Sequence, residues 1–189
     1  MTEIEILEPV EVTEGRGHAR IEPQDALWLE VRAAEASRSL SLSVTPEACK
    51  SELVAARGVG LKMHVIAYDP FLSEMRASEL GVEKVELDEL FARADFITLH
   101  TPLTDKTRNI LSAENLAKTK KGVFIINCAR GGLVDEAALR AGLESGHIGG
   151  AGFDVFVQEP AKENVLFGAP NFVATPHLGA STNEAQENV

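Results

Sequence analysis

His177 and Glu159 are the residues of this sequence best suited to moving a proton. His177 stands in "TPHLGAS" and Glu159 in "GFDVFVQEP", each beside a short apolar run. If those runs are neighbouring strands, their ends bring the carboxylate beside the imidazole. A carboxylate that accepts from one ring nitrogen stabilises the charged ring and leaves the other nitrogen to exchange a proton with a substrate hydroxyl. Arg130 adds a second capability, because it lies in "GVFIINCARGG" just past another apolar run. A guanidinium there can grip a carboxylate through two parallel hydrogen bonds, a geometry lysine cannot reproduce. Gly131 and Gly132 let the backbone turn tightly and approach a ligand.

Asp69 closes "VIAYD" at the carboxyl end of a run, where a carboxylate can hydrogen-bond both hydroxyls of an adenosine ribose. Its charge would repel a 2′-phosphate, which favours NAD over NADP. Each residue also has a plainer reading. Asp69 can make a turn with Pro70, Cys128 can be a packed thiol, and His18, His64 and His147 can be structural. We take the plain reading for Cys128 and those three histidines, but not for Arg130. His100 closes "DFITLH" on the same edge and has no evident proton to move.

The elements that must position these residues are strands and helices in alternation. From Lys62 onward the runs "MHVIAYD", "KVEL", "DFITLH", "GVFIINCA", "GGAGFDVF" and "FVATPH" read as strands buried on both faces. Between them "SEMRASELG", "LDELFARA", "SAENLAKT" and "DEAALRAGLESG" read as helices, with Ser112 and Asp135 as N-caps and Gly81 and Gly146 as C-terminal left-handed residues. That alternation predicts an α/β fold, a Rossmann-like doubly wound parallel sheet. Before Thr45 the pattern changes to short strands, "IEILEPVEV", "ARIEP", "LWLEV" and "SLSLSV", set among proline, glycine and charge. The expected division is an unrecognised β-rich segment over residues 1–45 and a nucleotide-binding domain over 46–189, joined at a soft boundary.

The chain has 189 residues, enough for one ordinary domain and a short appendage. Its formal charge of −11, with no basic run, argues against nucleic acid and anionic membrane as partners. Two scattered cysteines, Cys49 and Cys128, form neither a disulfide scaffold nor a metal site and suit a reducing, cytoplasmic compartment. Neither a signal peptide nor an apolar run of membrane-spanning length is recognisable.

From about Val54 onward the chain resembles the nucleotide-binding domain of the NAD-dependent D-2-hydroxyacid dehydrogenases, and among them the D-3-phosphoglycerate dehydrogenases. The stretches that carry the resemblance are "HVIAYDP", "ADFITLHTPLTDKTRNIL", "KKGVFIINCARGGLVDEAAL", "GGAGFDVF" with "EP", and "TPHLGASTNEAQ", in that order. The resemblance implies that Asp69 binds the adenosine ribose and that His100, Thr101 and Pro102 line the cofactor site. Cys128, Ala129 and Arg130 would border the nicotinamide, and Asp154 would hold its carboxamide. Arg130 would also hold the substrate carboxylate, Glu159 would orient His177, and His177 would be the acid and base. The implied reaction is oxidation of 3-phosphoglycerate to 3-phosphohydroxypyruvate, which opens serine biosynthesis, with related hydroxy acids such as glyoxylate as alternatives. Dimerisation through the nucleotide domains is also implied, although the arm that precedes the first strand in that family is not recognisable here. An exposed sheet edge is the other route to association.

The pattern breaks at one place. The family carries G-x-G-x-x-G between its first strand and first helix, and neither "GRGHAR" nor "GVGLKM" stands in that position. "SLSLSV", Ser39 to Val44, is the expected substitute for the central first strand, followed by a helix from about Pro46 to Arg57. Glu47 then puts a negative charge where a pyrophosphate should meet the helix N-terminus. A substrate domain is not recognisable either, which suggests a truncated form. Two readings follow: a dehydrogenase domain that binds NAD, and a catalytically inactive derivative that serves as a scaffold or interaction module.

Overall fold

The computed structural model describes residues 39–44 and 48–179. The strands expected before Ser39 lie outside that range. Among the described residues, seven parallel strands form one sheet: β1 (Ser39–Val44), β2 (His64–Tyr68), β3 (Glu83–Lys84), β4 (Phe96–His100), β5 (Val123–Asn127), β6 (Ile148–Phe153) and β7 (Phe172–Ala174). Their order is β3-β2-β1-β4-β5-β6-β7. The chain therefore winds outward one way from β1 and the other way from β4, which is the doubly wound Rossmann-like arrangement. "SLSLSV" fills the central slot, with Leu40 in register with Val65 of β2 and with Phe96 of β4. The sheet lies in a compact unit spanning Ala36–Val189, so β1 falls on its side of the division, ahead of the junction expected near Thr45.

Five helices accompany the sheet among the described residues: α1 (Ala48–Gly60), α2 (Glu74–Leu80), α3 (Leu87–Arg93), α4 (Ala113–Ala117) and α5 (Glu136–Ser145). Local chemistry sets their ends. Ser112 Oγ accepts from Asn115 N–H at 3.3 Å and Asp135 Oδ1 from Ala138 N–H at 3.0 Å, satisfying donors that the first helical turn leaves over. Gly81 (φ 68°) and Gly146 (φ 70°) end α2 and α5 in the left-handed conformation, which costs glycine little. The helix after β1 starts at Ala48 and runs three residues past the expected Arg57.

Alternation along the strands splits the core into two layers. Ile66, Ile97, Leu99, Ile125 and Phe153 pack with Leu90, Phe91, Leu116, Leu139 and Leu143 of α3 to α5. Val65, Ala67 and Phe96 pack with Ala55 of α1 and Ala77 of α2. Each fully buried large side chain, such as Phe91 or Leu139, contributes about 1.5–3 kcal/mol of transfer free energy.

Three expectations need correction. Burial on both faces does not extend to β5 and β7, where Phe124 is 40% and Val173 67% exposed. The smaller layer under α1 and α2 reaches only to Phe96 and Ile126, and β7 is an edge strand. "KVEL" yields only a two-residue strand, because α3 begins at Leu87. "FVATPH" leaves the ladder after Thr175, whose N–H still donates to Phe153 O, since Pro176 has no N–H to donate and His177 turns to φ 57°.

Candidate active site

Because all seven strands are parallel, the residues singled out in the sequence come to one edge of the sheet. Asp69 follows β2, His100 ends β4, Cys128 follows β5, Asp154 follows β6 and Thr175 follows β7. Adjacent strands lie about 4.8 Å apart, so the five steps from β2 to β7 span roughly 24 Å. That edge, with its switch point between β1 and β4, is where open α/β sheets take elongated ligands.

At the β5–β7 end, His177 Nδ1 lies 2.6 Å from Glu159 Oε2. An ionised carboxylate only accepts, so it fixes the ring proton on Nδ1 and leaves Nε2 for other chemistry. The second oxygen, Oε1, accepts from Phe156 N–H at 3.0 Å. The hydrogen bond from His177, and then that from Phe156, hold the Glu159 carboxyl below its ordinary range. His177 is half exposed and can be reached from solvent. Its positive φ is uncommon for a residue with a Cβ, so the surrounding contacts must hold it there.

Those contacts come from Asp154, which is 7% exposed. Its Oδ1 accepts from the Thr175 hydroxyl and from Leu178 N–H at 2.8 Å, and its Oδ2 accepts from Gly179 N–H at 3.1 Å. Asp154 N–H in turn donates to Asn127 O at 3.0 Å. Asn127, buried at the end of β5, spends its side chain on the next turn. Its Oδ1 accepts from Ala129 N–H at 3.1 Å and its Nδ2–H donates to Arg130 O at 3.0 Å. This clamp presents Arg130, whose guanidinium is exposed and donates to Ala129 O at 2.6 Å. No carboxylate pairs with Arg130 among the described residues, so its remaining donors can meet an anion.

Gly131 locks the same turn onto the segment before Glu159. A Cβ built there would lie 2.0 Å from Phe156 O, closer than real Cβ contacts come. The loops carrying Arg130, Glu159 and His177 are thereby fastened to one another. Sequence reasoning placed the three residues but missed Asn127, Thr175 and the reason for Gly131. An asparagine at the carboxyl end of an apolar run, ahead of two glycines, was the available signal for the first.

Cys128 is exposed, not packed away as expected. Local desolvation, then the nearby Asp154 charge, push its thiol up to about 11, so it stays protonated and a poor nucleophile. His100 is half buried, with Nε2 3.0 Å from Thr98 Oγ1, and burial pushes it down to about 4. It is therefore neutral near pH 7 and lines the edge without carrying charge. Thr101 is buried beside it and Pro102 is exposed.

The β1–β2 end supplies the test of whether NAD fits. Asp69 is 5% exposed, and its Oδ1 accepts from Phe71 N–H at 2.8 Å, so it does form the turn with Pro70. Its Oδ2 has no hydrogen bond among the described residues, which leaves an acceptor at the end of β2 for a ribose hydroxyl. Ser51, in the first turns of α1, is 1% exposed, and its Oγ is the one buried side-chain polar atom without a partner among the described residues. It stands three residues after Ala48, the spacing of the last two glycines in G-x-G-x-x-G, with "PEACKS" occupying the six positions. The connection Thr45 to Glu47 lies outside the described residues. The donor and acceptor set thus fits NAD at its ribose and nicotinamide ends.

Residues 51–179 match the family model described as D-isomer specific 2-hydroxyacid dehydrogenase, NAD binding domain. The match begins at Ser51, inside the stretch that lacks glycine. Among curated relatives, D-3-phosphoglycerate dehydrogenase of Bacillus subtilis is 55% identical over 134 residues, covering 71% of this chain and 25% of that protein. The enzyme of the same name from Rattus norvegicus is 47% identical, covering 70% of this chain and 25% of that one. The chain thus spans about a quarter of the length of the curated relatives it matches. Among solved structures, D-lactate dehydrogenase from Aquifex aeolicus, complexed with NAD and lactic acid, superposes with a TM-score of 0.72 at 31% identity, covering 79% of this chain and 49% of that one. A glyoxylate reductase from Paecilomyes thermophila gives 0.71 at 35% identity, covering 80% and 45%.

Proposed function

The chain belongs to the NAD-binding domains of the D-isomer specific 2-hydroxyacid dehydrogenases, and from that premise we propose that it serves in the NAD-dependent oxidation of 3-phosphoglycerate to 3-phosphohydroxypyruvate. The observation that carries this reading is the His177–Glu159 pair, held at 2.6 Å on the same sheet edge as Asp69 and Arg130. NAD, when bound, supplies the acceptor for the hydride that leaves C2 of the hydroxy acid. Glu159 keeps the ring proton on Nδ1, so Nε2 takes the proton of the C2 hydroxyl as the carbonyl forms, and returns it in the reverse direction. Arg130 binds the substrate carboxylate and, in the reverse direction, polarises the carbonyl.

For the cofactor, Asp69 takes the adenosine ribose, and its charge selects NAD over NADP. His100, Thr101, Pro102, Cys128 and Ala129 line the site. Asp154 has used three of its roughly four acceptor positions, which leaves one for the carboxamide. The NAD-binding part spans about residues 46–189 and takes β1 with it. Turnover requires a substrate-binding domain across the cleft, a homodimer is the proposed assembly, and the setting is serine biosynthesis in the cytoplasm. Glyoxylate or a related 2-oxo acid is the alternative substrate.

A second reading, that the fold is kept as a catalytically inactive scaffold, is favoured by one observation: no glycine stands between Val44 and Arg57. An NADH titration followed by fluorescence and calorimetry separates the two, with Asp69→Ala as control. Saturable binding that the substitution removes supports the dehydrogenase reading. A following assay with 3-phosphohydroxypyruvate should then lose about 10²–10⁴-fold in rate on His177→Ala. A folded protein that ignores millimolar NADH supports the scaffold.

A further inference from the structure

We propose that Asp154 is the positioning residue of the His177–Glu159 pair, clasping both ends of the turn that carries His177. The Thr175 hydroxyl, two residues before His177, and the N–H groups of Leu178 and Gly179, just after it, all donate to this one carboxylate. His177 itself makes none of these bonds, yet its backbone sits at φ 57° between them. A turn fixed on both sides has little freedom left in the direction of its central side chain, and that direction is what brings Nδ1 to 2.6 Å from Glu159. The clasp is itself anchored, since Thr175 N–H donates to Phe153 O at 2.9 Å and Asp154 N–H to Asn127 O at 3.0 Å. Hydrogen bonds to an ionised acceptor are the strong ones, and here they act in a buried setting.

The inference deepens the proposed role of His177, but its test needs no cofactor and no turnover. Asparagine at position 154 keeps the shape and replaces one acceptor with an amide donor, which then faces a donor of the turn. The full chain without ligand is followed by NMR, reading the His177 ring tautomer from its nitrogen shifts and the titration of the Glu159 carboxyl carbon.

In the parent, the Nδ1–H tautomer should dominate and Glu159 should titrate below the ordinary carboxylate range. In Asp154→Asn the tautomer ratio should move several-fold toward that of free imidazole, and the Glu159 titration should rise toward the ordinary range. Thr175→Val, which removes a single donor at constant shape, should shift both readouts the same way by less, and it decides the question if Asp154→Asn does not fold. A folded variant at either position with both readouts unchanged overturns the proposal. A parent that fails to bind NADH would remove the proposed function and leave the clasp standing.

Discussion

The two ends of the sheet are held by different physics. At the β5–β7 end, Asn127, Asp154 and Gly131 fasten three loops to one another through buried hydrogen bonds and a contact too close for any Cβ. At the β1–β3 end, the side-chain ties between elements beyond the apolar layer include ion pairs on the surface. Arg76 meets Glu52 at 2.8 Å, while Arg93 and His64 meet Glu83 at 2.7 and 2.6 Å. Exposed pairs are weak and tolerate change, whereas a satisfied buried network specifies one arrangement. The difference teaches where sequence drift is cheap. The end that carries His177 and Glu159 is tied by contacts that fix geometry. The end where a phosphate loop would stand carries side chains in place of glycines and leaves Ser51 Oγ unmatched.

The sharpest way to break that contrast is Gly131→Ala. Its Cβ would meet Phe156 O and C at 2.0 and 2.1 Å, both backbone atoms, so one loop must move. A loss of about 1–3 kcal/mol in urea unfolding is expected. A neutral result would mean that the loops are not locked together. At the other end, Ser51→Ala removes a buried hydroxyl that has no partner among the described residues and improves helix propensity. It should therefore stabilise the chain by about 1 kcal/mol. Destabilisation of that size would show that the hydroxyl is satisfied in solution.

The smallest effect belongs to the surface pairs. Arg93 first, and His64 second, hold the Glu83 carboxyl down to about 2. A depressed carboxylate binds fewer protons folded than unfolded. Its contribution is therefore present above the ordinary carboxylate range and fades as pH falls toward about 2. With the Glu83 side chain 42% exposed, Glu83→Gln should cost less than about 1 kcal/mol at pH 7 and nothing near pH 2. Urea midpoints at the two pH values check it, and an equal cost at both would contradict the assigned cause.

Much of the architecture was legible in advance. The apolar runs from "MHVIAYD" to "FVATPH" each gave a strand, and Ser112, Asp135, Gly81 and Gly146 cap helices as their chemistry requires. Even "SLSLSV", an alternating and serine-rich run, was placed by elimination, since the doubly wound order needs a strand between β2 and β4. What could not be read were exposures and ends. The Cys128 environment, the bare face at Phe124 and Val173, and the early end of β7 depend on which helices lie over which strands. A one-dimensional pattern does not record that.

The sequence by itself determined the alternation of strands and helices, the parallel sheet, and the placing of Asp69, Arg130, Glu159 and His177 at its edge. These follow from periodicity, capping and residue type, which are local. Only the tertiary structure decided that Glu159 Oε2 reaches His177 Nδ1, that Asp154 turns its carboxylate onto Thr175, Leu178 and Gly179, and that Asn127 clamps the turn before Arg130. Those partners stand 3 to 25 residues apart in sequence. The direction of a side chain at a strand end is set by the neighbouring strand's loop, so it exists only once the sheet has formed.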